Sequence, residues 1–121
     1  MIETLFQCQK GTSNSNTFLQ YQVGKIGRDW IILITGGESH IGSLCCSNKT
    51  KNDNFCFTLT HHKEDALVKE AYRQLSPLIT DEILIISGVH YDNISGKQIN
   101  MILQYNQDLI QQAAGFFNHL K

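Results

Sequence analysis

Apolar and polar residues alternate in two early segments of the chain, TLFQCQ (4–9) and FLQYQV (18–23). A period of two puts successive side chains on opposite faces of a strand, so both read as half-buried β-strands. WIILIT (30–35) is apolar almost throughout, the pattern of a central strand covered on both faces. IGSLCCS (41–47), FCFTLT (55–60) and EILIIS (82–87) continue the strand-like series. Two polar stretches, KGTSNSN (10–16) and SNKTKNDN (47–54), carry the Asn, Ser and Thr that favour turns.

Two segments change to the helical period. Ala66, Leu67, Val68, Ala71, Tyr72 and Leu75 form a stripe that predicts a helix over 62–76. Thr60 or His61 is its expected N-cap, Glu64 and Asp65 suit its first turn, and Pro77 ends it. The stretch from Ser95 to Leu120 predicts a second, longer helix. Ser95 and Gln98 form a capping box, and Ile99, Ile102, Leu103, Leu109, Ile110, Ala113 and Phe117 are the expected buried face. The order β-β-β-β-β-α-β-α predicts an α+β fold, one domain over 1–121. Its mixed, mostly antiparallel sheet of about six strands is covered on one face by two helices.

The chain of 121 residues is long enough to bury a real core. Its formal net charge of -1 excludes a broad basic surface for nucleic acid. No apolar run approaches the roughly 20 residues of a membrane span. MIETLFQCQK lacks the basic and apolar regions of a secretory signal, so a cytoplasmic location is expected. The four cysteines form no Cys-x-x-Cys pair and are expected to be free thiols in a reducing compartment. Adjacent Cys45 and Cys46 should point to opposite faces of their strand. Phe116 and Phe117, late in the long helix, are expected to expose apolar surface and drive homo-oligomer formation.

The candidate chemistry gathers at strand ends. If strands 30–35, 41–47 and 55–60 form a meander, and 55–60 and 82–87 are parallel across the helix between them, three segments meet at one sheet edge. These are 36–42 (GGESHIG), 60–65 (THHKED) and 88–93 (GVHYDN), each with a histidine. Gly36, Gly37 and Gly42 allow close backbone approach. A helix N-terminus and Lys63 supply positive charge for a phosphate or carboxylate. Tyr91 offers a ring to stack on a planar ligand. His40, His62, His90 and Asp92 can hydrogen-bond that ligand or hold a divalent metal, and Asp92 and Asn93 can also initiate the turn into the last helix. No Gly-x-Ser-x-Gly elbow and no His-x-x-x-His spacing is present, so no catalytic residue is assigned.

HIG (40–42), HK with the acidic Glu64 (62–64) and GVHYDN (88–93) together resemble the prenylated flavin chaperone family, typified by the D subunit of bacterial gallate decarboxylase. The resemblance covers about residues 30–112. This chain has Ser39 where the family usually has proline, and His61 where it usually has glycine. The resemblance implies a non-catalytic protein that binds prenylated FMN, or FMN, and assists its delivery to a UbiD-type aromatic acid decarboxylase. A flavin prenyltransferase is the implied source. The implied flavin site is Gly36, Gly37, His40, Gly42, His62, Lys63, His90, Tyr91, Asp92 and Asn93. Two other readings remain open here: a small metal-dependent enzyme using His40, His62, His90 and Asp92, and a structural subunit of a decarboxylase.

Overall fold

The computed structural model describes residues 2–12, 17–59 and 64–120. Six strands form one sheet: β1 (Thr4–Lys10), β2 (Leu19–Ile26), β3 (Asp29–Gly37), β4 (Ser43–Asn48), β5 (Asp53–Thr58) and β6 (Ile83–His90). Helices α1 (Glu64–Leu75) and α2 (Gly96–His119) complete the α+β fold in the expected order. The spatial order is β1-β2-β3-β6-β4-β5. Among the described residues only β3 and β6 pair in parallel; β1–β2, β2–β3, β4–β5 and β4–β6 are antiparallel.

The expected meander of β3, β4 and β5 is not formed. β6 lies between β3 and β4 instead, pairing Ile32 with Ile85 on one side and Cys45 with Ile85 on the other. The two most continuously aliphatic strands thereby take the two central places, where burial rewards them most. Two antiparallel steps still leave β5 pointing the same way as β6. The ends of β3, β5 and β6 therefore share one edge, as the sequence argument required, though by a different route.

Both helices pack on one face. Ile32, Ile34, Ile83, Ile85 and Cys45 point toward Leu67, Val68, Ala71, Leu75, Leu109 and Ile110. The α2 capping box is present: Gln98 N donates to Ser95 Oγ at 3.1 Å and Ser95 N to Gln98 Oε1 at 2.8 Å. Leu103, expected on its buried face, is exposed. Phe117 is buried and Phe116 is half-buried, so neither stands out as exposed apolar surface. Phe117 is buried against Trp30 at 5.1 Å between ring centroids, and Phe116 stacks on Phe6 at 4.9 Å. The helix's last turns face the sheet, so these two rings are mostly spent on intramolecular packing.

The expectation of four free thiols is also corrected. Cys45 and Cys56 are direct partners in the β4–β5 ladder, with Cα atoms 4.1 Å apart, and they form a disulfide. The register that aligns them is not visible in their sequence spacing. Cys8 and Cys46 are free; Cys45 faces the core while Cys46 faces the opposite side.

A polar clasp fixes the lower end of the sheet. Ser47 Oγ donates to Glu82 Oε1 at 2.6 Å and accepts from Ile83 N at 2.8 Å, while Lys49 N donates to Glu82 at 2.9 Å. Lys49 Nζ reaches the Ser76 carbonyl at 2.7 Å, just past the C-terminus of α1. The Ser47 bond, then the Lys49 N–H, hold the Glu82 carboxyl below its ordinary value of 4.5. A carboxylate with a lowered folded pKa stabilises the fold above its unfolded pKa, and that contribution fades as pH falls through the folded value. Wild type is therefore expected to lose stability below about pH 4.5 more steeply than Glu82→Gln. Urea midpoints from neutral pH downward measure this; parallel curves for the two proteins would refute it.

Candidate functional site

The edge where β3 and β6 end is built on close backbone approaches. Gly37 pairs with His90 and has φ +64°. A Cβ there would lie 2.0 Å from the His90 carbonyl oxygen, so only glycine fits. Glu38 N then donates to the His90 carbonyl at 3.0 Å. The chain turns back through residues 38–42 and crosses directly over Gly88, where a Cβ would lie 1.4 Å from the His40 carbonyl oxygen. Gly42 ties the loop down: its N–H donates to Ser87 O at 2.8 Å, and its carbonyl accepts from Leu59 N at 2.7 Å.

This crossing sets the histidine geometry. Strand alternation puts His90 on the sheet face opposite the helices, and the crossing loop brings His40 beside it. Their ring centroids are 6.3 Å apart in an edge-to-face arrangement. His90 Nε2 lies 3.0 Å from Asp92 Oδ1. His40 Nδ1 is 3.2 Å from the Glu38 carbonyl. His40, Asp92 and Asn93 are exposed and His90 is half-buried. Asn93 has φ +54°, which makes the turn into α2.

Tyr91 points the other way. Its hydroxyl accepts from Phe18 N at 2.8 Å and donates to the Phe18 carbonyl, and its ring lies against Gly36 and Gly37. Burial pushes the Tyr91 hydroxyl above the ordinary tyrosine range, against the pull of backbone bonds to Phe18 and Gly37. The side chain latches the start of β2 to the end of β6. That task occupies the hydroxyl that a ligand would otherwise meet.

His62 and Lys63 lie outside the described residues, as do His61 and Thr60. The structure thus brings together His40, His90 and Asp92, with the Gly36, Gly37 and Gly42 backbones beside them. Among the described residues no group of three or more His, Cys, Asp or Glu is placed to hold a metal ion.

Two residues escaped the sequence argument. Ser43 and Ser87 are direct partners in the β4–β6 ladder and face the helices. They are 1% and 0% exposed, and neither hydroxyl has a hydrogen-bond partner among the described residues. The Lys49 clasp holds the C-terminal end of α1 at the far end of β4, so Ser43 and Ser87 lie toward the α1 N-terminus. Buried hydroxyls without partners are costly, and a nearby helix N-terminus favours anions. The readable signal was a serine at a core position of an otherwise aliphatic strand, Ser87 in ILIISGVH.

Among the described residues, the protein is an α+β domain with a mixed sheet, helices on one face and a strand edge that carries His40 and His90. The chain belongs to the prenylated flavin chaperone LpdD-like domain family, whose pattern matches residues 13–118. No curated protein matches the chain. The fold is also similar to a chain in the crystal structure of a novel chaperone complex for yeast 20S proteasome assembly. The TM-score is 0.55 at 9% sequence identity, over 98% of this chain and 96% of that one. So low an identity speaks for the fold alone.

Proposed function

We propose that the protein binds reduced prenylated FMN at the β3–β6 edge and hands it to a UbiD-type aromatic acid decarboxylase, without catalysing a reaction itself. The meeting of His40 and His90 above Gly88, in a chain of this family, carries the reading. A flavin prenyltransferase supplies the ligand in this scheme. The phosphate is assigned to the α1 N-terminus with His62 and Lys63, and the ring's polar edge to His40, His90 and Asp92. The carrier works in the cytoplasm as a self-associated species. There the Cys45–Cys56 bond is exposed to thiol reductants.

Anaerobic calorimetric titration with reduced prenylated FMN, with plain FMN alongside, tests the assignment. Micromolar or tighter binding is expected, weakened about tenfold or more by His90→Ala and by Lys63→Ala, the loss typical of one charged hydrogen bond. No binding of either flavin would overturn the carrier reading. Binding that neither substitution alters would move the site elsewhere on the protein.

A further inference from the structure

β5 has no side chain in the core. It is the last strand on its side of the sheet, and each of its six residues, Asp53–Thr58, is exposed. On the open face of the sheet, away from the helices, apolar rows end in Phe55 and Phe57, which are 61% and 47% exposed. A strand at a sheet edge keeps its place through ladder hydrogen bonds on one side only. The Cys45–Cys56 disulfide adds a covalent tie, from exposed Cys56 on β5 to fully buried Cys45 on β4.

What β5 holds in turn is the histidine loop. Leu59, the residue after it, donates its N–H to the Gly42 carbonyl at 2.7 Å. Gly42 closes the loop that carries His40 over Gly88. The same loop is held where Gly42 N meets Ser87 O and where Glu38 N meets His90 O. Three residues of chain therefore connect Cys56 to one tether of the His40 loop.

We infer that Cys45–Cys56 is a thiol–disulfide switch that sets the order of the loop carrying His40. Oxidised, the bond pins β5 to β4 and Leu59 stays on Gly42. Reduced, β5 opens from the edge, Leu59 leaves Gly42, and the loop loses that tether. The ligand's response to the switch rests on the flavin-carrier reading; the loop's response does not.

The chemistry is exchange with a thiol reductant, a small thiol or a protein dithiol. Its thiolate attacks Cys56, the exposed partner, since Cys45 is 0% exposed. A mixed disulfide forms at Cys56, and Cys45 leaves as a thiolate that takes up a proton. A second reductant thiol displaces Cys56, which also becomes a thiol. Two electrons pass to the protein, and the reductant ends as its own disulfide. The register leaves Cys46 outside this exchange, because it faces the open side while Cys45 and Cys56 face the helices. A cross-link between residues 11 apart suppresses opening of the segment it closes on the order of 100-fold, through loop-closure entropy.

Hydrogen exchange of the full-length protein, air-oxidised and then treated with dithiothreitol, tests the inference. The amides of Leu59 and β5 should exchange on the order of 100-fold faster after reduction. Cys56→Ser, at an exposed position, should exchange fast in both conditions, and Cys46→Ser should keep the full response. In anaerobic titration, Cys56→Ser should bind reduced prenylated FMN about fivefold more weakly than oxidised wild type, the worth of one backbone hydrogen bond. Four free thiols in the air-oxidised protein would end the inference at the outset. Equal exchange at Leu59 before and after reduction would overturn the switch, whatever the ligand does. Faster exchange with unchanged flavin affinity would make the bond a structural staple and overturn its control of the site. If neither protein binds flavin while the exchange contrast stands, the carrier reading fails and the switch on the loop is upheld.

Discussion

Gly88→Ala is expected to cost the protein both the proposed ligand site and much of its stability. The added methyl would sit 1.4 Å from the His40 carbonyl oxygen and 2.4 Å from its carbonyl carbon. Both are backbone atoms of a short loop, so no side chain can swing aside. The loop cannot simply lift, because Gly42 N holds Ser87 O on one side and the Gly42 carbonyl holds Leu59 N on the other. Overpacking typically costs about 1–3 kcal/mol, and a clash with tethered backbone belongs at the upper end of that range. Displacing the loop also separates His40 from His90, so reduced prenylated FMN should bind at least tenfold more weakly. Gly115→Ala is the matched control, since nothing lies within 4 Å of a Cβ built there. It sits inside α2 and should gain about 0.5–1 kcal/mol. Urea denaturation of both variants, with flavin titration, measures the contrast. A Gly88→Ala protein with wild-type stability and binding would refute the crossing.

The same crossing shows how much of the site the sequence discloses. GVHYDN after an aliphatic strand marks the edge, because a run of polar residues ends a buried pattern. Alternation also assigns His90 and Tyr91 to opposite sides. Which side lies under the helices depends on the whole sheet, so the sequence leaves Tyr91 open as a stacking residue. In the structure it is the bonds to Phe18, 73 residues away, that hold it. The α+β order is legible from periodicity, since each element's period is local. The place of β6 between β3 and β4 is not, because pairing is decided by which strands bury the most apolar surface once assembled. The Cys45–Cys56 bond and the apolar rows of the open face follow from that register, and both are hidden for the same reason. Ser43 and Ser87 are hidden because serine in a strand is unremarkable until its partner and its burial are known.

Asn106 occupies a core position of α2 that a stripe of aliphatic residues would have filled, and substituting it is expected to have the second large effect. It is 2% exposed and Tyr21 is fully buried. The Tyr21 hydroxyl donates to Asn106 Oδ1, and Asn106 Nδ2 donates to the Leu67 carbonyl at 3.3 Å. One side chain thus joins β2, α1 and α2. Burial pushes the Tyr21 hydroxyl well above the ordinary tyrosine range, so it remains a neutral donor throughout the working pH range. Asn106→Ala leaves a cavity and strands that donor in a dry interior, at about 3–4 kcal/mol. The melting midpoint should fall by roughly 10 °C or more. Tyr21→Phe strands only the asparagine oxygen and should cost about 1–3 kcal/mol. The double variant Tyr21→Phe/Asn106→Leu removes both hydrogen-bonding partners and fills the space. It should therefore be more stable than the sum of Tyr21→Phe and Asn106→Leu measured separately, since each single change leaves one polar group alone. Chemical denaturation of the full cycle reads that coupling. Strict additivity would mean that the two groups do not depend on each other, and that the core is held by apolar packing alone.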